Sequence, residues 1–260
     1  MGKFSQLHLD GTALKYLPIP MKQFTCPISI TLRGCRNILT VPVLLSLNSL
    51  NLSACSRITR LPADLGTMVH LEELDASETS ITEVPLFQFI LEKLKVLSFC
   101  GCFGLQLPDW FSNLRSLRSL NLRRCGLPKK FHDRPFWLTS LQSLDLGEND
   151  LVGIPNELGR LSFLQRMDFS GNNLVSVPNE IGCLSSLQRL DLSENNFNNA
   201  DTLTMWASGK RFCFINCGQS EEDNVQACHV PVPEDSIGLL FSKYIQNRIY
   251  GKKPFEFRFP

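Results

Sequence analysis

Four residues near the C-terminus have side chains that commonly bind metal ions: Cys213, Cys217, Cys228 and His229. Protein zinc sites usually take their ligands in pairs separated by about two to five residues. Cys213 and Cys217 have a tolerable spacing, but Cys228 and His229 are adjacent and have no second pair. We therefore expect no bound metal, and we expect the ten cysteines to be free, reduced thiols.

Catalysis and nucleotide binding require groups of residues that do not occur here. A phosphate-binding loop has an upstream glycine and a following hydroxyl residue around its Gly-Lys pair. The pairs Gly2-Lys3, Gly209-Lys210 and Gly251-Lys252 lack both. The four histidines, at positions 8, 70, 132 and 229, are scattered. The sequence thus predicts a protein that is not an enzyme and has no cofactor.

A basic run lies in the middle of the chain. It has one acid, Asp133, among seven cations, at positions 115, 118, 123, 124, 129, 130 and 134. The run is either an ordinary solvated surface or a patch that attracts an acidic partner. The formal net charge of +1 gives no general attraction to nucleic acid, and no run of about 18 apolar residues predicts a membrane span.

The elements that position these residues follow from a repeated phrase: leucine, two residues, leucine, one residue, leucine, then a small polar residue. The last apolar residues of successive phrases are at positions 9, 32, 52, 76, 99, 122, 146, 169 and 192. Their spacing is 20 to 24 residues. This period is the signature of leucine-rich repeats, which stack into a solenoid.

Each repeat can be interpreted physically. The Leu-x-Leu alternation predicts a short strand with its leucines inward. A turn residue then enters the coil, and the predicted ladder of such residues is Cys35, Cys55, Thr79, Cys102, Cys125, Asn149, Asn172 and Asn195. A following Leu-Pro, Val-Pro or Ile-Pro pair predicts an extended segment or a short helical turn on the convex side. The predicted fold is an α/β solenoid of about nine repeats, a horseshoe with a curved parallel sheet on its concave face.

Residues that alternate with the leucines point away from the core and form columns on the concave face. The predicted strand centres lie near residues 8, 31, 51, 75, 98, 121, 145, 168 and 191, and the outward column at these centres includes Asn121, Asp145, Asp168 and Asp191. Leu-Asp-Leu is common in repeats of this kind, so the aspartates are equally explained as ordinary polar residues that keep the face soluble. We predict a protein-binding site around repeats four to six, with Arg118, Arg123 and Arg124 as its charged centre.

The chain divides into two parts by pattern. Residues 1–200 form the predicted solenoid, and residues 201–260 form a short irregular tail, which we interpret as the truncated start of a β-rich domain. In the tail, residues 236–250 have helical spacing of apolar side chains, and residues 255–259 alternate as a strand does. The first repeat begins abruptly at Leu7 without a polar cap, so we expect the chain to be a fragment.

Three motifs resemble the leucine-rich-repeat region of plant intracellular disease-resistance receptors of the Toll-type, nucleotide-binding class. Residues 7–18 resemble that family's L-x-L-x-G-T-A-I-x-x-L-P repeat, and residues 212–217 resemble the F-x-F-x-N-C segment after the repeats. Turns such as Gly34-Cys35 and Gly101-Cys102 match its alternation of cysteine with threonine or asparagine. The resemblance covers essentially the whole chain, but neither the Toll-type domain nor the nucleotide-binding domain is present in it.

The resemblance implies a cytoplasmic or nucleocytoplasmic recognition and autoinhibitory module for plant defence. Its implied partners are a pathogen effector or the nucleotide-binding domain of a related receptor. A free-standing cytosolic scaffold that joins signalling proteins is the alternative. An extracellular plant receptor is disfavoured, because residues 151–155 alone approach that class's Gly-x-Ile-Pro wording and Asn51-Leu-Ser53 is the one glycosylation site in the repeats.

Overall fold

The computed structural model describes residues 5–17, 28–85, 91–129 and 138–197. These segments contain nine parallel strands in one sheet, and each strand pairs only with its neighbours in sequence. The strands are β1 Gln6–His8, β2 Ile28–Thr31, β3 Leu47–Asn51, β4 Glu73–Asp75, β5 Val96–Ser98, β6 Ser119–Asn121, β7 Ser143–Asp145, β8 Arg166–Asp168 and β9 Arg189–Asp191. The order confirms the predicted solenoid, since each repeat adds one strand beside the previous one.

The predicted strand centres are displaced by one position in most repeats. In each strand the residue predicted as the centre is in fact the last one, as Asn121 is in β6 and Asp145 is in β7. The chain leaves the strand early because the Asp145 carboxylate accepts the backbone N–H of Gly147 at 3.0 Å. A side chain that bonds its own backbone two residues later closes a turn and ends the strand.

Short 3-10 helices occupy the opposite side of several repeats. They are Ala63–Thr67, Asp109–Asn113, Asn156–Arg160 and Asn179–Cys183. Each is preceded by a proline, namely Pro62, Pro108, Pro155 or Pro178. Proline suits this position because its fixed φ fits the start of a helix, where its missing N–H has no intrahelical partner to lose. The predicted short helical turns are therefore present in these repeats.

The core is one continuous column of buried leucine, isoleucine, phenylalanine and cysteine side chains. In a middle repeat, Leu144 and Leu146 are almost completely buried, whereas in the first repeat Leu7 and Leu9 are only partly buried. The predicted tail over 201–260, with its helix and strand, lies outside the described residues, as do the candidate metal ligands at 213, 217, 228 and 229.

Candidate binding face

The outward side chains of the nine strands form a regular grid, which we call the outer face. Strand register places Ser119 beside Ser143 and Asn121 beside Asp145. The same register continues to Arg166 and Asp168 in β8. Each strand therefore contributes one residue to a first column and one to a second column, and neighbouring members of a column are about 4.8 Å apart.

The second column is built from side chains that close turns. Asp168 Oδ1 accepts the backbone N–H of Ser170 at 2.9 Å and its hydroxyl at 2.6 Å. Asp191 makes the same two bonds with Ser193, and Asn121 Oδ1 accepts the N–H of Arg123 at 3.0 Å. One oxygen of each side chain is thus occupied within its own repeat. These residues shape the face in addition to solvating it.

A left-handed residue precedes every ladder residue. Gly34, Gly101 and Gly171 adopt positive φ there, and so do non-glycine residues such as Ala54 and Glu148. Glycine adopts this conformation without steric cost, whereas a residue with a Cβ is disfavoured by about 1–2 kcal/mol. The Gly-Cys turns were recognisable in the sequence, but their positive φ was not predicted. The recurring glycine one place before the ladder was the signal that could have revealed it.

All eight predicted ladder residues are buried, and the asparagines are tied to two repeats at once. Asn149 Nδ2 donates to the carbonyl oxygens of Leu146 at 2.9 Å, within its own repeat, and of Leu122 at 3.0 Å, in the preceding one. Its Oδ1 accepts the N–H groups of Cys125 and Leu127, each at 3.1 Å. Asn172 and Asn195 form a similar set of bonds with the repeats before them.

The other ladder members make fewer bonds. The thiol of Cys125 donates to the Phe99 carbonyl at 3.1 Å, and Cys55 donates to Leu32 in the same way. Burial raises the pKa of the Cys125 thiol to about 12 and that of Cys55 to about 11. Thr79 donates within its own repeat, and Cys35 and Cys102 donate to the repeat before them. Among the residues that the structure describes, no group of three His, Cys, Asp or Glu could hold a metal ion.

Arg123 lies at the centre of an ion-pair cluster on the outer face. Its Nη2 is 2.5 Å from Glu148 Oε1, and its Nη1 is 3.3 Å from Asp168 Oδ2 and 3.9 Å from Asp145 Oδ1. Nη1 also donates to Ser170 Oγ at 3.3 Å. The guanidinium thus links β6 to β8 across the intervening β7 repeat. Arg123 is therefore not a free cation, because three carboxylates already surround its guanidinium.

Gly147 leaves the space that the guanidinium of Arg123 occupies. A Cβ placed on Gly147 would lie 2.5 Å from Arg123 Nη1 and 3.1 Å from Asp168 Oδ1. Any larger residue would push the arginine away from its partners in β8. A single glycine in the outward column beside an arginine was therefore a signal in the sequence for this contact, which was not predicted.

The cluster shifts the pKa values of its members in opposite directions. Burial raises the pKa of Asp145, and the nearby Asp168 adds to the effect, although the Gly147 N–H and Arg123 oppose it. The hydrogen bond from Arg123 lowers the pKa of Glu148. Burial alone would lower the pKa of Arg123, but the bond to Glu148 and the carboxylates of Asp168 and Asp145 raise it overall.

The predicted charged centre is divided between the two ends of β6. Arg118 is an exposed residue just before the strand, whereas Arg123 and Arg124 follow it. Arg124 is also paired, with its Nε 2.6 Å from Glu148 Oε2. Arg118 therefore does not form one patch with the two other arginines. Lys130 and Arg134 of the basic run lie outside the described residues.

Comparison with known proteins agrees with this architecture. Residues 139–197 match the family model described as leucine rich repeat. Within the described segments, no helix is long and apolar enough to cross a bilayer. Human 5T4, a Wnt-activated inhibitory factor, superposes with a TM-score of 0.62 at 19% identity, over 83% of this chain and 88% of that one. At this identity the likeness concerns the fold alone.

Sequence relatives are found among plant resistance proteins. The TMV resistance protein N of Nicotiana glutinosa is 31% identical over 169 residues, which are 60% of this chain and 14% of that protein. The disease resistance-like protein DSC1 of Arabidopsis thaliana is 32% identical over 165 residues, 60% of this chain and 13% of the relative. The matched part is thus a small share of each relative's length.

A solved plant structure shows the same fold at higher identity. The leucine-rich-repeat ectodomain of the Arabidopsis receptor kinase HAESA, in complex with an IDA peptide hormone ligand, is 31% identical with a TM-score of 0.53. The match covers 65% of this chain and 30% of that ectodomain. This chain therefore carries leucine-rich repeats, and its repeat region is homologous to that of plant disease-resistance proteins.

Proposed function

We propose that this chain is a non-catalytic protein-interaction module, the recognition and autoinhibitory leucine-rich-repeat part of a plant intracellular immune receptor. The observation that carries the proposal is the sequence relationship between its repeats and those of the tobacco and Arabidopsis resistance proteins. The proposed location is cytoplasmic or nucleocytoplasmic, as the resemblance implies. The proposed partners are a pathogen effector or the nucleotide-binding domain of a related receptor.

The construction of the outer face supports a binding role. Its first two columns are almost entirely polar and fixed in register over nine strands. Turn-closing bonds, such as the bond from the Ser170 N–H to Asp168, hold the second column in place. A face of this kind offers many positioned hydrogen-bonding groups at a low entropic cost of ordering, because the groups are already fixed before a partner arrives.

The experiment is co-precipitation of the chain with the nucleotide-binding domain of a related receptor and with candidate pathogen proteins. A Ser119→Trp variant places a large side chain on the outer face at β6, and an Ala63→Trp variant places the same side chain in a 3-10 helix on the opposite side. We expect the first variant to lose capture and the second to retain it. Equal capture by both variants would contradict binding through the outer face.

A free-standing cytosolic scaffold makes a different prediction. A scaffold should bind two signalling proteins at the same time, whereas a receptor module should bind its nucleotide-binding domain in competition with an effector. Titration of one captured partner with the other distinguishes the two functions. Release of the first partner favours the receptor module, and a stable ternary complex favours the scaffold.

A further inference from the structure

From β5 to β9, positive charge gathers where the strands begin and negative charge gathers where they end, on the outer face and in the turns beside it. We define the start row as the first residue of each strand and the four residues before it, which are residues 92–96, 115–119, 139–143, 162–166 and 185–189. It holds one acid, Glu92, and six cations: Lys93, Lys95, Arg115, Arg118, Arg166 and Arg189. Its formal net charge is therefore +5. Of the six cations, all but Lys95 are exposed.

The end row carries the opposite charge. It consists of the last residue of each of these strands and the five residues after it, which are residues 98–103, 121–126, 145–150, 168–173 and 191–196. It holds two cations, Arg123 and Arg124, and six acids: Asp145, Glu148, Asp150, Asp168, Asp191 and Glu194. Its formal net charge is therefore −4, and both of its arginines are already paired with Glu148.

Three of the six start-row cations, Arg115, Arg118 and Arg166, have no ion pair among the described residues, whereas Lys93 Nζ is 3.2 Å from His70 Nδ1. Lys95 is bound to Glu72 at 2.7 Å, and Arg189 is 3.8 Å from Asp191. The bond from Lys95, with the added attraction of Lys93 and Arg118, holds the pKa of Glu72 below its usual range. Three cations thus act on one carboxylate at the β4 side of the row, and the charge of the row is far from neutralised.

The geometry sets what kind of partner fits. A strand rises about 3.3 Å per residue, so the backbone of Arg118 lies about 10 Å along the sheet from the level of Asp145, and that of Arg166 lies about 7 Å from Asp168. Neighbouring strands are about 4.8 Å apart, so each row extends about 19 Å from β5 to β9. The Debye length at physiological salt is about 8 Å. The separation of the rows is thus close to one Debye length, so the end row would still repel a uniform polyanion on the start row, although salt weakens the repulsion. A partner of mixed charge therefore fits this face better than nucleic acid does.

We propose that the outer face of β5 to β9 binds a polypeptide whose acidic and basic side chains are grouped about 10 Å apart. The acidic group faces the start row and the basic group faces the end row. This inference rests on the proposed function as a protein-interaction module and names the chemistry of its partner. It also moves the predicted charged centre from Arg123 and Arg124 to the start row around Arg118 and Arg166.

The probe is a labelled peptide of three glutamates, three serines and three lysines, in which the serines span about 10 Å when extended. A peptide of the same composition with alternating charges is the matched control, and an all-glutamate peptide and a single-stranded DNA are further controls. Fluorescence anisotropy with the full chain should give at least about tenfold tighter binding for the block peptide, and the difference should shrink in high salt.

Two double variants test the location. Arg118→Glu with Arg166→Glu reverses two charges of the start row and should weaken binding of the block peptide about tenfold. Arg36→Glu with Arg57→Glu makes the same change in net charge at exposed positions beside β2 and β3 and should leave binding unchanged. Urea denaturation of both variants checks that each is folded.

The outcomes separate this inference from the proposed function. Equal binding of the block and alternating peptides, or binding of the all-glutamate peptide or the DNA as tight as that of the block peptide, would overturn the two-row interpretation. Unchanged block-peptide binding by the Arg118, Arg166 variant would do the same. If that variant also captures the nucleotide-binding domain as the parent does, the interaction module stands while the charged rows are rejected as its site.

Discussion

Replacing Arg123 with glutamine should lower the free energy of unfolding by about 1–2 kcal/mol at pH 7. An exposed ion pair contributes about 0.2–1 kcal/mol, whereas removing one partner of a buried pair costs about 3–5 kcal/mol. Arg123 falls between these limits, because its side chain is 28% exposed and those of its three carboxylate partners are 27–37% exposed. Glutamine removes the charge, which leaves Asp145 and Asp168 to repel each other.

Arg124 provides a matched control in the next position of the chain. It carries the same charge and contacts the same Glu148, but its side chain is 68% exposed and, among the described residues, that contact is its single ion pair. Arg124→Gln should therefore change the free energy of unfolding by less than about 0.5 kcal/mol. The difference between the two variants measures what the contacts to β7 and β8 contribute.

The effect of Arg123→Gln should depend on pH. Arg123 stabilises the charged forms of its partners, so its contribution is complete where they are ionised and is lost as they take up protons. The bond from Arg123 lowers the pKa of Glu148, so this part of the stabilisation is present above the ordinary carboxylate pKa and is lost as the pH falls through the lowered value. Burial raises the pKa of Asp145. The difference in the free energy of unfolding between the parent and Arg123→Gln should therefore decrease progressively below about pH 5.

The assay is urea denaturation followed by circular dichroism at pH 7, 5, 4 and 3. Gly147→Ala supplies an independent perturbation, since the added Cβ would displace the guanidinium, and the double variant should cost much less than the sum of the single variants. A loss below about 0.5 kcal/mol for Arg123→Gln, or a stability difference between parent and variant that does not change with pH, would refute a stabilising role of the Arg123 ion-pair cluster.

Three other predictions follow from the repeats. Asn172→Ala should cost about 1–3 kcal/mol in urea denaturation, because a buried backbone N–H and buried carbonyls lose their partner; a smaller loss would mean that water replaces the side chain. Both Ala54 and Gly34 have positive φ, which disfavours a residue with a Cβ. Ala54→Gly should therefore raise the thermal midpoint and Gly34→Ala should lower it, each by an amount equivalent to about 1 kcal/mol. Shifts of the same sign would exclude backbone strain as the cause. In the native protein at pH 7.5, iodoacetamide should modify exposed Cys183 well before Cys125, whose thiol is buried with a raised pKa, and peptide mapping would reveal the reverse order.

The repeats were predictable from the sequence because the leucines that must be buried recur at the same short spacing in each repeat. The same is true of the ladder, since a small or amide side chain recurs at one place in each coil. The Arg123 contacts were not predictable in this way, because Glu148 and Asp168 lie 25 and 45 residues further along the chain. Their meeting depends on the exact register of three strands and on the space over Gly147.

The placement of Arg118 was within reach of the sequence. Its distance from Arg123 is five residues, which is more than the length of the three-residue strand between them. Counting residues along β6 would have placed Arg118 before the strand and Arg123 after it, and so would have assigned the two charges to opposite ends of the strand. The difficulty was physical in origin: a run of cations in sequence suggests one patch, but an extended chain carries its residues apart by about 3.3 Å each.

The unequal bonding of the turn ladder has a mechanical consequence. Asn149, Asn172 and Asn195 each bond to the preceding repeat through both their amide and carbonyl groups, while Cys55 contributes a single weak thiol bond. Stability in a stacked array is a sum of unit and nearest-neighbour terms. When the two ends of the chain are pulled apart, the repeats with cysteine at the ladder position should unfold at lower force than those with asparagine. The N-terminal repeats should therefore be mechanically weaker than the C-terminal ones.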